Sequence, residues 1–287
     1  MVVVQAKISV RARTSKGVAA VLYSRRRVLS GAMLGAASAG FGFVPRHALA
    51  AGTADVLPPV PQLTHQHDII AVNSVTIDRP LVALTFDDGP HPEHTPRLLD
   101  ILKDRKVTAT FYLIGRSVRA FPDVARRIAA EGHEIGNHTW SHPELWNLGD
   151  YDVLREIDRT NEIIWRTVGL LPVTMRPPYG AITRYQSRML HDSRLLPTVM
   201  WSVDPSDYRR PGPDVVASRI VTKASNGAIV LAHDIHGPTV TAMPATIDGL
   251  RERGFGFASM SSLLGWEKWG RVQMAAVEEP EWPDDDD

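Results

Sequence analysis

The chain has 287 residues, 44% of them hydrophobic, with 32 basic and 32 acidic side chains. That length suits one α/β barrel or two smaller domains. The absence of cysteine excludes disulfides, thiolate nucleophiles, Cys-ligated zinc and an N-terminal lipid carried on cysteine.

Charge is divided unevenly. Residues 1–50 hold eight basic and no acidic side chains, which leaves 24 basic against 32 acidic in the remainder, a formal charge of −8. A domain of that sign repels nucleic acid, whose binding rests on phosphate neutralisation. Within the first fifty residues, Ser24-Arg25-Arg26-Arg27-Val28-Leu29 matches the twin-arginine export pattern, with Val28 where phenylalanine is commonest. A Gly/Ala-rich run from Gly31 to Val44 follows, then the small-x-small site Ala48-Leu49-Ala50. The plainer alternative is a basic tail before a short core helix. Interior glycines count against it, at about 1 kcal/mol each relative to alanine. The expectation is a signal peptide over 1–50, cleaved after Ala50, with the twin-arginine machinery as partner and a periplasmic or secreted product. No long, charge-free apolar span follows it, so neither a transmembrane helix nor a stable membrane anchor is expected.

Residues 51–79 read as a linker or N-terminal extension, with Leu57-Pro58-Pro59-Val60-Pro61 favouring extended polyproline backbone. His65 and His67 form a His-x-His pair without a third ligand nearby and read as loop residues. A folded domain is expected over 80–267 and a solvated acidic tail over 268–287.

Within the domain, Leu81 to Phe86 is an apolar, β-branched run between Pro80 and Gly89 and reads as a buried strand. Thr95 to Lys103 has helical spacing, with Thr95 as N-cap and Pro96 at the first helical position. A strand over Thr108 to Ile114 follows, then a helix over Phe121 to Ala130 that Gly132 stops. Glu134 to Asn137 is a short strand and Asp152 to Val168 the longest helix. Thr174-Met175 reads as a strand end, Thr183 to His191 as a helix and Pro197 to Trp201 as a strand. Pro213 to Ala224 is helical, Gly227 to Ala232 is the clearest buried strand, and Thr241 to Arg253 is helical. A strand over Gly256 to Ser259 and a helix near Leu263 complete the series. Strands alternating with helices imply parallel pairing, and about seven of them suit a closed or nearly closed barrel.

Five polar-rich motifs fall where these strands end. They are Thr85-Phe86-Asp87-Asp88-Gly89-Pro90, His138-Thr139-Trp140-Ser141-His142, Arg176-Pro177-Pro178-Tyr179-Gly180, Asp204-Pro205-Ser206-Asp207-Tyr208 and Leu231-Ala232-His233-Asp234. In barrels of this kind the C-terminal strand ends build the site. The spacing of His138 and His142 puts both imidazoles on one face of a helical turn. With Asp88 they supply two histidines and a carboxylate, a ligand set that leaves a position open, as catalytic zinc sites do. Co²⁺, Ni²⁺, Mn²⁺ and Fe²⁺ accept the same donors. Taken alone, the histidine pair reads as an ordinary surface pair and His233 as an ordinary hydrogen-bonded core residue; it is the company of Asp88 and the other motifs that favours a site.

The order and spelling of these motifs, from Leu81 to Leu264, resemble the polysaccharide deacetylase family with the NodB-homology domain, carbohydrate esterase family 4. The resemblance implies a distorted (β/α) barrel and a metal-dependent deacetylase acting on acetylated polysaccharide. It further implies that Asp88, His138 and His142 bind one divalent ion, and that Asp87 is the general base, oriented by Arg176 through a contact that a bidentate pair would serve well. The Tyr179 amide is implied to hold an oxyanion with the metal. His233 is implied to be the general acid, with Asp207 its partner in preference to Asp204. Leu231 is expected to wall a pocket for the acetyl methyl group or to be plain core. The fourth motif commonly ends in Asp-Trp and here ends in Asp207-Tyr208, which changes the ring expected to meet substrate. Trp140 and Trp201 read either as sugar platforms or as core. The activity so implied is N-deacetylation of amino-sugar polymers such as peptidoglycan, chitin-like chains or poly-N-acetylglucosamine. An O-acetyl esterase on xylan and a catalytically inactive carbohydrate-binding protein are the alternatives.

Overall fold

A computed structural model describes residues 69–268. The expected signal peptide, the His65/His67 pair and the acidic tail beyond Lys268 lie outside the described residues. Seven strands are present: β1 (Ala71–Val72), β2 (Leu81–Asp87), β3 (Thr110–Leu113), β4 (Glu134–Asn137), β5 (Thr198–Val199), β6 (Ala228–His233) and β7 (Gly256–Phe257). All pair in parallel, in the order β4-β3-β2-β6, with β7 also on β2 and β1 on β5. Single-residue parallel bridges carry the ladder onward from Asn137 to Met175, from Met175 to Thr198, and from Val203 back to Val230 of β6. The pairing thus runs round into the distorted (β/α) barrel that the motifs implied.

Eight helices pack around it: α1 (His94–Asp104), α2 (Gly115–Ala120), α3 (Pro122–Ala130), α4 (Asp150–Val168), α5 (Arg184–Arg194), α6 (Pro213–Lys223), α7 (Gly237–Glu252) and α8 (Met260–Leu264). Three expectations change. The strand end at Thr174-Met175 shrinks to a one-residue bridge. Residues 69–79 are not linker, because Ala71–Val72 pairs with β5, Ser74 bridges Ala228, and Ile69 and Val75 are buried. A two-residue strand is too short to show a period. Finally, Thr95 does not cap α1. The helix begins one residue earlier, and the Thr95 hydroxyl instead donates to buried Asp234 while accepting from the His91 amide.

The burial of β2 explains its unbroken apolar sequence, since a parallel strand covered on both faces needs no polar alternation. Val82, Leu84 and Phe86 face the helices, packing with Leu98, Leu99 and Leu102 of α1. Leu81 and Ala83 face the barrel interior with Tyr112, Val199 and Ile229. Two-residue periodicity then turns Thr85 and Asp87 inward as well. The interior is therefore apolar at its base and polar toward the C-terminal strand ends, which is what delivers Asp87 to the site.

Tyr112 fills that interior because β4 offers a glycine beside it. A Cβ on Gly136 would stand 2.3 Å from the Tyr112 ring. Gly136→Ala is accordingly expected to destabilise the fold by about 1–3 kcal/mol through overpacking. Denaturant unfolding would check this, and an unchanged midpoint would show that the ring can move aside.

Candidate active site

Each strand end contributes one part. Asp87 is the last residue of β2, and its cross-strand partner is His233, the last residue of β6. Neighbouring strands lie about 4.8 Å apart, so these two inward side chains stand side by side. Arg176 follows the Met175 bridge and is fully buried. Its Nη1 donates to Asp87 Oδ1 at 2.8 Å and to Thr85 Oγ1 at 2.7 Å. Its Nε and Nη2 donate to the Val199 and Met200 carbonyls, each at 3.1 Å, and the guanidinium stacks on Tyr112 at 4.3 Å. The bidentate pairing is therefore not seen. Arg176 holds Asp87 by one point because its other donors anchor the β5 backbone.

His138, His142 and Asp88 do converge, but not as expected. Residues 138–142 form no helical turn: Thr139 and His142 have φ of 66° and 64°. The loop is shaped by partners that spacing does not reveal. Asn137 Oδ1 accepts from the Thr139 amide at 2.8 Å, and the Thr139 hydroxyl accepts from the His142 amide at 3.1 Å. Glu156, on α4, accepts from the amides of Trp140 and Ser141 at 2.9 and 2.8 Å and from the Ser141 hydroxyl at 2.8 Å. Trp140 is buried, with Arg119 and Arg159 over its ring, so it is no sugar platform. Backbone strain concentrates on this face. Asp88, Thr139, His142, Tyr179, Ser206 and Arg210 are non-glycine residues with positive φ, against only Lys106 and Leu195 elsewhere among the described residues. Such conformations cost on the order of 1–3 kcal/mol each and persist where surroundings over-determine them.

The donor set fits a divalent cation. His138 Nδ1 lies 2.7 Å from the Arg176 carbonyl, a contact only an N–H can make. In the neutral ring Nε2 is then a bare lone pair, 3.2 Å from Asp88 Oδ1; His142 Nε2 is 3.0 Å from the same oxygen. Lone pairs facing a carboxylate oxygen at this range repel unless positive charge lies among them. A tetrahedral ion with bonds of about 2.0–2.1 Å separates its ligands by about 3.3 Å, close to these distances. The electrostatics agree. Burial works against ionisation of Asp88, yet His138 and His142 hold it well below the usual carboxylate range. Burial likewise opposes charge on His138, and Asp87 and Asp88 outweigh it, pushing its pKa up. Asp88, His138 and His142 are the group of ligand-type side chains close enough together to share an ion among the described residues.

Opposite Arg176, His233 Nδ1 meets Asp207 Oδ1 at 2.8 Å. Asp204 is turned to the Ser206 amide instead. Asp207 is 1% exposed and also accepts from the His233 amide and the Thr239 hydroxyl, both at 2.8 Å. Burial acts to lower the His233 pKa, but the Asp207 carboxylate overcomes it and raises it to about 9. The site thus holds a carboxylate paired to a fixed cation beside an imidazole poised to carry a proton. Tyr179, at φ 59°, stands 69% exposed with its hydroxyl 3.2 Å from His142 Nδ1. Leu231 is buried, one step toward the site from Ile229 on the inward face of β6, and joins none of the three apolar clusters. Tyr208 is half exposed, its ring centroid 6.4 Å from His233.

Asp234 belongs to the fifth motif but had no assigned part. It is fully buried, takes the Thr95 hydroxyl on one oxygen, and has its pKa raised by burial to about 7. A Cβ on Gly89 would stand 2.6 Å from it. It therefore locks the turn after Asp88 against β6, and Gly89 is there for that close approach.

Residues 74–196 match the family model described as polysaccharide deacetylase. The peptidoglycan-N-acetylglucosamine deacetylase PgdA of Listeria monocytogenes is 38% identical over 184 residues, 64% of this chain but only 39% of that protein. The chain thus spans about two-fifths of the length of that relative. The peptidoglycan-N-acetylglucosamine deacetylase of Bacillus cereus is 38% identical over 65% of this chain and 69% of the relative. The chitooligosaccharide deacetylase of Rhizobium leguminosarum bv. trifolii is 38% identical over 62% and 89%. Among solved structures, a peptidoglycan N-acetylglucosamine deacetylase superimposes with a TM-score of 0.67 at 35% identity, over 70% of this chain and 95% of that one. A family pseudoenzyme from Bacillus anthracis superimposes with a TM-score of 0.65 at 31% identity, over 68% of each.

The Asp207–His233 pair generates a pH prediction. A raised histidine pKa contributes stability that is fully present below the ordinary value of about 6.5 and is lost as pH rises through about 9. Asp207→Asn is expected to bring the His233 titration down toward the ordinary range. The stability gap between the two proteins should then be widest below pH 6.5 and fade above pH 9. NMR titration of His233 and unfolding across pH in chelated protein would check both; an unmoved titration would show that Asp207 does not set it.

Proposed function

The chain belongs to the polysaccharide deacetylase family, with its NodB-homology fold, and on that footing we propose that it is a metal-dependent N-deacetylase of acetylated amino-sugar polymers. The observation that carries this reading is the cross-strand pairing of Asp87 with His233 above the Asp88, His138 and His142 donor set. A carboxylate paired with Arg176 and an acid held protonated by Asp207 stand side by side, the base and acid that amide hydrolysis requires. The pseudoenzyme among the structural neighbours shows that the fold alone does not secure catalysis.

Asp88, His138 and His142 would hold one divalent ion; zinc suits the donors best, and cobalt, nickel, manganese and iron are compatible. Bound there, such an ion supplies a Lewis acid that brings the pKa of a water down toward about 7 and polarises a carbonyl. Asp87 takes the proton of the attacking water, and Arg176 aims its carboxylate. The Tyr179 amide donates to the acetamide oxygen as that oxygen gains charge; donors of this kind are worth about 3 kcal/mol elsewhere. Leu231 walls the side on which the acetyl methyl group sits. His233 delivers its proton to the departing nitrogen, so that acetate and a free amine leave without a covalent acyl-enzyme.

Asp87→Asn is expected to retain bound metal while turnover falls by at least about a hundredfold, in line with the usual worth of a general base. His138→Ala should lose the ion, as elemental analysis would show. Full turnover in Asp87→Asn would refute the base assignment. Acetate release from acetylated xylan but not from chitooligosaccharides would make the protein an esterase instead.

We also infer that the domain acts outside the cytoplasm, on the twin-arginine pattern at Arg25-Arg26-Arg27 and the Ala48-Leu49-Ala50 site. Exported protein should begin at Ala51, and Arg25→Lys with Arg26→Lys should trap it inside. N-terminal sequencing and cell fractionation would check this; export of the double variant would overturn it.

A further inference from the structure

The departure at Tyr208 has a physical consequence on the acid side of the site. Arg209 Nε donates to the Tyr208 hydroxyl at 3.2 Å, and its guanidinium stands 5.5 Å over the same ring. A tryptophan in that place would have no oxygen to accept this bond. Arg210, held by its amide to the Asp207 carbonyl at 2.8 Å, follows in a left-handed turn. Both arginines are exposed, and among the described residues neither has a carboxylate partner. Several arginines elsewhere do pair with carboxylates: Arg105 with Asp248, Arg127 with Asp100, Arg194 with Asp158. The loop that carries the unmatched pair is itself fixed. Arg219 and Lys223 of α6 donate to the Pro205 and Asp204 carbonyls, at 2.8 and 3.4 Å. Two uncompensated cations thus stand on a braced loop, one aromatic ring away from His233.

We propose that Arg209 and Arg210 form an anion-reading subsite beside His233, and that its occupant is a carboxylate borne by a sugar of the same glycan chain. This rests on the deacetylase reading and deepens it. Chitin-type chains carry no carboxylate, whereas a peptidoglycan strand bears on alternate sugars an ether-linked lactyl group, whose carboxylate is free where the peptide stem that otherwise caps it as an amide is absent. The geometry therefore selects the acidic, muramyl-containing glycan over the neutral one. Tyr208 is a positioning residue for Arg209, and a planar guanidinium suits a carboxylate better than an ammonium does.

The test uses the metal-loaded full chain with three glycan fragments of equal length: neutral chitooligosaccharide, lactyl-bearing glycan without peptide, and the same glycan with its peptide stem. The wild-type protein is expected to favour the lactyl-bearing fragment over the neutral one in kcat/KM. Arg209→Gln with Arg210→Gln should cut that preference by roughly tenfold or more, through KM, as loss of a charged hydrogen bond implies. Arg209→Lys should restore part of it. Salt should erode the preference in the wild type and not in the double variant. Equal losses on the neutral and acidic fragments, or an unchanged preference, would overturn the proposal. So would a preference confined to the peptide-bearing fragment, which would place the recognised carboxylate on the peptide. Calorimetric binding of the same fragments decides the matter separately from turnover. If no fragment releases acetate, the deacetylase reading fails, while selective, arginine-dependent binding of the lactyl-bearing fragment still sustains the subsite.

Discussion

A single buried guanidinium holds the catalytic end of the barrel together. Arg176 is enclosed on all sides, and a charge so placed is tolerable only with its donors satisfied. The barrel meets that demand from two directions. Asp87 and Thr85 come from β2, and two carbonyls come from Val199 of β5 and Met200 just after it. The Arg176 carbonyl in turn fixes the His138 ring by its Nδ1. One residue therefore aims the carboxylate on one side of the site and sets the tautomer of a ligand histidine on the other. Removing one partner from such a buried pair costs on the order of 3–5 kcal/mol, so stability and chemistry are coupled at this position.

The remaining pieces divide by sign. Asp87 faces a permanent cation, Arg176; His233 keeps its positive charge because Asp207 faces it and three further groups orient that carboxylate. The parallel register of β2 and β6 puts the two opposite members next to each other. Neither pair alone distinguishes an enzyme from a stable core. Their adjacency above a donor set that fits a cation is what gives the site a direction for proton flow. The strained loops around it are consistent with that reading, since the cost of six left-handed non-glycine residues falls where the side chains must converge.

The loop after Val203 adds recognition to this chemistry. The same short turn that presents Asp207 to His233 presents Tyr208, Arg209 and the capping Arg210 to solvent. Acid catalysis and the reading of a neighbouring sugar are thus built on one short segment, braced from behind by α6.

The sequence by itself determined the strands that are long and apolar, the longest helix, the barrel class and the identity of the side chains at the strand ends. It could do so because β2 and β6 are continuous buried runs and α4 has a clear 3.6-residue period, both local signals. It did not determine β1, α2 or the shrinking of the Thr174-Met175 strand, which are too short to carry a period. It gave no hint that Glu156 shapes the His138–His142 loop, that Asp234 takes the Thr95 hydroxyl from its capping position, or that Arg209 rests on Tyr208. The Glu156 and Asp234 contacts join residues brought together only by tertiary packing, up to 139 positions apart in the chain, and the Arg209 contact depends on the turn that packing imposes. The helical-turn reading of His138 and His142 failed for the same reason. Spacing fixes a face only if the backbone is helical, and here distant hydrogen bonds chose another path. Which side chains stand at the strand ends was local information; how they meet was decided by tertiary packing, because burial and hydrogen-bond satisfaction are settled only when the barrel closes.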